Sequence, residues 1–129
     1  MFVKQLTIFV ENKSGRVSDI LEALGNAGID ISALSIADTS DYGLMRMIVD
    51  DPEKAKEVLL SAGVVVKITD ALAVPIADRP GGLASVMKKL KEHSLSVEYL
   101  YAFVGHRDGG ALVVMKTDDN EKAESILGA

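Results

Sequence analysis

The chain has 129 residues, of which 48% are hydrophobic, and it carries a formal net charge of −5 and no cysteine. The length allows one ordinary domain or two very small ones. The acidic balance argues against nucleic acid or an anionic membrane as a partner, and the lack of cysteine excludes disulfides and cysteine-based metal sites. The N-terminus lacks a signal-peptide layout and the apolar runs are too short to span a membrane, so we expect a cytoplasmic protein.

The first part of the chain predicts a strand followed by a helix. Met1–Glu11 is rich in aromatic and branched residues and alternates in part, which is typical of a strand. From Arg16 onward the apolar positions are spaced three, one and three residues apart, as on one face of a helix. These positions are Val17, Ile20, Leu21 and Leu24. The segment Gly25–Gly28 ends the helix, because glycine and asparagine tolerate the left-handed conformation of a helix cap.

Two more strands, a helix and a fourth strand follow. Ile29–Ala37 and Leu44–Val49 are strand-like and flank a dense turn cluster, which predicts a hairpin. Asp51 and Pro52 mark a helix start, since aspartate can cap the first turn and proline suits the first helical position. Val64–Ile68 then predicts the fourth strand.

The same order then begins again, so the chain carries an internal repeat. Ala71–Ile76, Leu95–Phe103 and Ala111–Lys116 predict strands, and Asp118–Ala123 repeats the pattern of Asp50–Ala55. The helix of this copy again has three-one-three spacing, with Leu83, Val86, Met87 and Leu90. The repeat offset grows from 66 to 68 residues, which two single-residue loop insertions explain. Each copy therefore predicts a ferredoxin-like βαββαβ module of the α+β class, with helices on one face of an antiparallel sheet.

We assign residues 1–69 to a first module and residues 70–129 to a second. The second copy ends directly after its second helix and lacks a fourth strand of its own, which would leave a sheet edge unpaired. The long strand-like runs suggest a repair, in which Met1–Lys4 lies antiparallel beside Leu72–Ile76 and supplies the missing strand. Burial is marginal in modules of this size, so we expect the two to support each other.

Two short turns occupy equivalent places between the first strand and the first helix of each module. They are the first turn, Asn12–Val17, and the second turn, Asp78–Leu83. Gly15 and Gly81 permit a sharp bend and a close approach by a ligand, while exposed N–H groups at a helix start suit a carboxylate. The leading Asn or Asp can meet an ammonium group, so the pattern fits a free amino acid. The alternative is a plain tight turn in which that side chain bonds its own backbone.

Both halves resemble ACT domains, small regulatory modules that bind amino acids and similar effectors, and the resemblance covers essentially the whole chain. It rests on the two turns and on Gly28–Ile31, which is similar to the start of strand two in that family. The segments Ala37–Gly43, Asp50–Ala55 and Glu98–Phe103 further resemble stand-alone tandem ACT proteins of bacteria and archaea, which carry no catalytic domain.

The resemblance implies where an effector would bind. In ACT regulators the effector lies between two modules and contacts the turn of one and strand two of its neighbour. The turn positions carried over are Asn12, Gly15, Arg16 and Val17, and Asp78, Gly81, Gly82 and Leu83. The strand-two positions, Asp30 and Ser96, depart from the asparagine of many members, and Asp30 would repel a carboxylate but suit an ammonium. Two adjacent glycines make the second turn the better match and the freer backbone.

A few other side chains are candidates for binding or chemistry. Tyr99 and Tyr101 lie two apart on a strand and so share a face, where they form either an aromatic wall beside an effector or an ordinary half-exposed sheet face. His93 and His106 are interpreted as surface residues. Since no Ser/His/Asp or Cys/His set is present, we expect no enzyme, no catalytic residue, no cofactor and no metal site.

The sequence therefore predicts a non-catalytic sensor of a free amino acid. It would signal to a partner enzyme of amino-acid metabolism or to its own oligomer, for which we expect a homodimer. One alternative is a structural interaction module without a ligand. Another is RNA binding through the same strand order, although Leu44–Val49 and Ala111–Lys116 lack the aromatic residues on which bases stack.

Overall fold

The computed structural model describes residues 1–11, 13–38, 42–104 and 111–128. These residues form six strands and four helices, so the predicted α+β class and element order are confirmed. In chain order the elements are β1 (Phe2–Glu11), α1 (Arg16–Asn26), β2 (Ile31–Asp38), β3 (Tyr42–Val49), α2 (Pro52–Ser61), β4 (Val66–Ile76), α3 (Gly82–Glu92), β5 (Val97–Ala102), β6 (Ala111–Thr117) and α4 (Asn120–Leu127). The two strands predicted at 64–68 and 71–76 are one uninterrupted strand, β4.

The chain divides into two compact units. The first unit is Lys4–Asp70, and the second unit combines Met1–Val3 with Ala71–Ala129. The strands of the first unit follow the order β2-β3-β1-β4, and those of the second follow β1-β4-β6-β5. Since β1 and β4 each cross a unit boundary, each supplies residues to both units.

The first unit packs both its helices on one face of its sheet. β1 runs antiparallel to β3, with Leu6 opposite Met47, and β2 runs antiparallel to β3, with Leu34 opposite the same methionine. Alternate side chains of β1 and β3 therefore point to the same side, where they join the helices in one core. This core contains Leu6, Ile8, Val10, Ile20, Leu24, Ile29, Met45, Met47, Val49, Ala55, Leu59 and Val66.

The second unit repeats this arrangement with β4, β5 and β6. Leu72 lies opposite Met115 in the antiparallel pair of β4 and β6, and Leu100 lies opposite Met115 in the pair of β5 and β6. Side chains from the strands and from α3 and α4 form its core, which contains Leu72, Val74, Leu90, Leu95, Val113, Met115 and Ala123. The repeat in the sequence is thus a repeat in packing.

The first residues of the chain lie against β4 in the second unit. The Ala73 amide donates to the carbonyl oxygen of Met1 over 2.8 Å, and the N-terminal ammonium lies 3.3 Å from a carboxylate oxygen of Glu124. The next residue after Val3, Lys4, forms an ion pair with Asp70 inside the first unit, with Nζ and Oδ1 2.8 Å apart. Within the described residues, no helix is long and apolar enough to cross a membrane.

Candidate functional site

The glycines of the two turns singled out in the sequence have the same backbone conformation. Gly15 has φ 86° and ψ −9°, and Gly81 has φ 84° and ψ −3°. A positive φ of this size lies in the left-handed region, which side chains other than that of glycine rarely adopt. The two glycines therefore redirect the chain from β1 into α1 and from β4 into α3.

The hydrogen bonds of the two turns also match. The Lys13 amide donates to the Glu11 carbonyl over 2.7 Å, and the Arg79 amide donates to the Ala77 carbonyl over 2.9 Å. One residue beyond each glycine, the amide donates back to the carbonyl of Lys13 or of Arg79, over 3.3 and 3.0 Å. The equivalence of the turns therefore extends to individual hydrogen bonds.

The residue after the turn glycine distinguishes the two turns. It is Arg16 in the first turn and Gly82 in the second. A Cβ atom on Gly82 would lie 1.9 Å from the carbonyl oxygen of Ala77, so this position admits no side chain without a backbone shift. The space beside Gly82 is thus already filled, while the greater backbone freedom expected of the second turn stays a prediction.

The helix starts at the turns differ from the other two helix starts. Among the described residues, no side chain caps α1 or α3. By contrast, Asp51 accepts from the Lys54 amide over 3.2 Å and Asp119 accepts from the Lys122 amide over 3.1 Å, so the predicted cap at Asp51 is confirmed. The predicted contribution of Asn12 to the first turn lies outside the described residues. The turn helices therefore present first-turn amides that suit an anion.

Fixed charges surround the first turn. Glu11 Oε2 lies 3.1 Å from Lys13 Nζ and 3.9 Å from Arg16 Nη2. The hydrogen bond from Lys13, with the positive charges of Lys13 and Arg16, holds the pKa of the Glu11 carboxyl below its ordinary value. All three side chains are exposed, so water screens the pairs and they add little to stability. Their effect is to hold charges of both signs beside the turn.

The remaining turn residues are partly structural. Val17 and Leu83 are half-buried and pack against the cores of their units. Asp78 and Gly81 are exposed on the second turn, where a ligand could reach them. The carried-over positions thus divide into packing residues and accessible residues.

The strand-two positions lie far from the turn of their own unit. Asp30 precedes β2 by one residue. Leu34 of β2 and Leu6 of β1 both lie opposite Met47 of β3, so these two leucines stand at the same height in the sheet. At about 3.3 Å per residue, Asp30 is about 25–30 Å along the sheet from Glu11, the last residue of β1. The first unit does not bring these predicted residues together.

Carboxylates from the end of β3 and of β6 hold the strand-two positions in place. The Asp30 amide donates to Asp50 Oδ1 over 3.1 Å, and the Ser96 amide donates to Asp118 Oδ1 over 3.0 Å. The Asp50 and Asp118 amides return bonds to the carbonyls of Asp30 and Ser96, each over 3.1 Å. Neither residue's backbone amide is therefore available to a ligand without breaking this exchange.

The two tyrosines stack as neighbours on one face of β5. Their ring centroids are 6.4 Å apart and their planes differ by 22°. Leu100, between them, lies opposite Met115 of the helix-side core, so Tyr99 and Tyr101 project from the other face of the sheet. Tyr101 is buried, which makes it a packing residue in part. The aromatic pair is therefore confirmed as a shared face, on the side of the sheet away from α3.

One feature near the first turn was not anticipated from the sequence. A cavity of about 510 Å³ lies between the start of α1, the end of α2 and the end of β1. We call it the α1–α2 recess, and its lining includes Phe9–Glu11, Arg16, Asp19, Ile20, Leu59 and Ala62–Val65. A second hollow, of about 390 Å³, has Lys13, Val17, Ile36 and Gly43 in its lining. The first turn thus contributes residues to two hollows of the first unit.

Of the two histidine candidates, the structure describes His93. His93 is exposed, and its Nδ1 lies 2.9 Å from the Lys89 carbonyl oxygen, as suits a surface residue at a helix end. His106 lies outside the described residues. In the part of the chain that the structure describes, no three metal-binding side chains come together.

Comparisons with known proteins place these features in a family. A family model described as an ACT domain pair matches residues 1–128. A solved protein of Bacteroides thetaiotaomicron is similar over 99% of this chain and 88% of its own, with 38% identity and a TM-score of 0.90. No curated protein sequence matches the chain.

Two further solved structures share the fold at low identity. The ligand-free regulatory subunit of aspartate kinase from Thermus thermophilus has 16% identity and a TM-score of 0.67, over 97% of this chain and 87% of that one. The corresponding subunit from Thermus flavus has 15% identity and a TM-score of 0.64, over 97% and 88%.

Proposed function

The chain belongs to the ACT domain family as an ACT domain pair, and on this premise we propose that it is a regulatory protein without catalytic activity of its own. It binds a free amino acid and passes the occupancy of that site to a partner enzyme or to its own homodimer, in the cytoplasm. The observation that carries the proposal is the pair of matching turns, whose helix starts have no side-chain cap among the described residues.

The chemistry of the turns supports a free amino acid as the effector. Uncapped amides at a helix start, together with the helix dipole, favour a carboxylate. The exposed carboxylate of Asp78 in the second turn favours an ammonium group. A free amino acid carries the carboxylate and the ammonium group on its α-carbon, so one small molecule can bind through both.

The distance between the turn and strand two supports a site made by more than one module. An amino acid cannot bridge about 25–30 Å, so Asp30 contributes to the effector bound at a turn of a neighbouring module or chain. The modules in this proposal are residues 1–69 and 70–129. The proposed contacts are Asn12, Gly15, Arg16, Val17, Asp30, Asp78, Gly81, Gly82, Leu83, Ser96, Tyr99 and Tyr101.

The partner in this proposal is an enzyme of amino-acid metabolism. The fold shared with two regulatory subunits of aspartate kinase supports that class of partner. The effector shifts an equilibrium between two states of the regulator only if its affinity for them differs. A ligand that joins two modules meets this condition, because its contacts depend on how the modules are arranged.

A thermal-shift screen of the full chain against the common free amino acids tests this proposal. At 100 times its dissociation constant a ligand adds about 2.7 kcal/mol to the free energy of unfolding, which raises Tm by several degrees in a chain of this size. The matched controls are the α-amide and the decarboxylated amine of each amino acid that gives a shift.

The expected result is a shift with one or a few amino acids and none with their controls. A screen in which no amino acid shifts Tm at millimolar concentration contradicts the proposed function. It would favour the alternative of an interaction module without a ligand.

A further inference from the structure

The floor of the α1–α2 recess is apolar. Val10, Ile20 and Leu59 line it with relative exposures of 5%, 4% and 0%, and all three belong to the core of the first unit. In the described part of the chain the buried polar side chains are Gln5 and Thr117, and neither lines this recess. A ligand group that reaches this floor therefore meets apolar side chains, which favours an apolar group.

One side of the mouth is apolar as well. Val65 lines the recess with 64% of its surface exposed. Phe9 also borders it, but the Phe9 ring projects from the other face of the sheet, because its neighbours Ile8 and Val10 face the helices. A ligand that covers Val65 removes apolar surface from water, which favours binding. The recess also has the size of a small-molecule site, since its 510 Å³ falls in the range of about 300–1,000 Å³ typical of such sites.

The other side of the mouth carries charges of both signs. Arg16 and Asp19 line the recess and lie three residues apart on α1, hence on the same face of that helix. The closer partner of Glu11 is Lys13, at 3.1 Å, whereas Arg16 stands 3.9 Å away. The guanidinium can therefore turn to an incoming carboxylate while Lys13 keeps Glu11 neutralised. Among the described residues Asp19 forms no ion pair, and it can receive an ammonium group.

We propose that the α1–α2 recess binds a free amino acid with a large apolar side chain, such as leucine or phenylalanine. The side chain enters between α1 and α2, the carboxylate meets Arg16 and the ammonium meets Asp19. The ligand class rests on the proposed function, whereas the location within the first unit rests on the cavity itself. This pocket needs no second module, unlike the site at the turns and strand two.

The charges at the mouth discriminate against simpler apolar ligands. A fatty acid would pair with Arg16 but bring its carboxylate close to the carboxylate of Asp19. An apolar amine would pair with Asp19 but leave Arg16 without an anionic partner from the ligand. A zwitterion satisfies both, and unpaired charges in a binding site penalise the wrong ligand.

The second unit lacks this pair of charges. The residues at the offset of 66 from Arg16 and Asp19 are Gly82 and Ser85. Gly82 admits no side chain, because of its approach to the Ala77 carbonyl. The chain therefore binds one apolar amino acid of this kind, with a stoichiometry of one per chain.

Methyl NMR of the full chain with L-phenylalanine gives the location directly. A bound phenyl ring shifts the methyl signals of Ile20, Leu59 and Val64, and Leu90 in the core of the second unit serves as the reference. Shifts confined to the recess methyls are expected. Binding that moves other methyls and leaves these unchanged overturns the location.

A plug variant tests whether the cavity itself is needed. Ala62 is exposed and lines the recess, so Ala62→Phe fills it from the rim, while Ser61→Phe adds the same ring one residue earlier outside the lining. Titration calorimetry with L-phenylalanine is expected to show at least a tenfold weaker Kd for Ala62→Phe and an unchanged Kd for Ser61→Phe. Equal affinities in the two variants overturn the proposal.

Charge variants and matched ligands test the orientation. Arg16→Gln should weaken L-phenylalanine about tenfold but leave phenylalaninamide, which lacks the carboxylate, unaffected. Asp19→Asn should weaken the binding of L-phenylalanine. It should not weaken the binding of 3-phenylpropanoate, which lacks the ammonium group. Equal losses for the zwitterion and its analogue in either variant overturn the assigned contact.

The outcomes also separate this inference from the proposed function. If lysine, threonine or another polar amino acid binds and leucine and phenylalanine do not, the amino-acid sensor stands and the apolar pocket is wrong. If no amino acid binds the wild-type chain, both are wrong.

Discussion

At Gly82 the carbonyl oxygen of Ala77 occupies the space of a side chain, whereas the equivalent position in the first turn carries Arg16. The preceding residue, Gly81, is glycine for a different reason. Its φ is 84°, which other residues rarely adopt, although no atom lies within 4 Å of the position of a Cβ. One position is constrained by contact and the other by dihedral angle. A sequence pattern predicts a glycine turn in both cases but cannot tell these two causes apart.

A glycine that is constrained by contact and one that has neither constraint predict opposite effects for the same substitution. Gly82→Ala drives a methyl group against backbone, so we expect it to lower the free energy of unfolding by about 1–3 kcal/mol. Gly25→Ala in α1 has no atom within 4 Å of its Cβ and no positive φ, so it should raise stability by about 0.5–1 kcal/mol. Chemical denaturation of both variants measures this, and a neutral Gly82→Ala would show that the turn yields easily.

The ion pair at the first turn predicts a change in titration. The pKa of Glu11 is lowered chiefly by its hydrogen bond with Lys13, so Lys13→Gln should raise that pKa toward its ordinary value. Because the folded-state pKa is depressed, the pair favours the folded state above the unfolded-state pKa, and this effect is lost as pH falls through the folded-state pKa. NMR titration of the Glu11 carboxyl tests the shift. The same pKa in both proteins would remove Lys13 as its cause.

At the scale of elements, the helices are predictable in position and the strand ends are less so. The three-one-three spacing indicates α1 and α3 well, because an apolar stripe is required for a helix to join the core. β5 begins at Val97, although strand character in the sequence starts at Leu95. The reason is a contact with a distant residue, since the Ser96 amide donates to the Asp118 side chain. A long-range bond of this kind leaves no mark in the strand's own residues.

Helix caps repeat in both units and predict matched losses. Asp51→Ala and Asp119→Ala each remove an acceptor for an amide of the first helical turn, over 3.2 and 3.1 Å. We expect each to cost about 1 kcal/mol, while Asp51→Ser and Asp119→Ser retain most of the stability. Denaturation midpoints test this, and an alanine variant as stable as wild type would show that another group replaces the cap.

At the scale of the whole molecule, the repeated fold and the family are predictable, because two copies of one pattern reinforce each other. The α1–α2 recess is not, since it depends on where the end of α2 meets the start of α1. Its lining comes from segments up to 56 residues apart, from Phe9 to Val65. The module boundary at residue 69 stays a prediction. A boundary between the two compact units also falls inside β1, between Val3 and Lys4.

We expect the removal of residues 1–3 to destabilise the second unit only. The deletion abolishes the bond between the Met1 carbonyl and the Ala73 amide, so hydrogen exchange at Ala73 and in the second core should accelerate. The Lys4–Asp70 pair remains. Glu124→Gln, which removes only the exposed ion pair with the N-terminal ammonium, should change little. Unchanged exchange at Ala73 after the deletion would contradict this account.

The sharing of β1 also bears on the order in which the protein can be made. Met1 is synthesised before its partner Ala73, which follows it by 72 residues. Contacts so distant in sequence form late, because a long loop must close first. The first unit has all its residues before the second can complete its edge. A gene fusion that moved residues 71–129 into another protein would therefore need to carry a substitute for those first three residues.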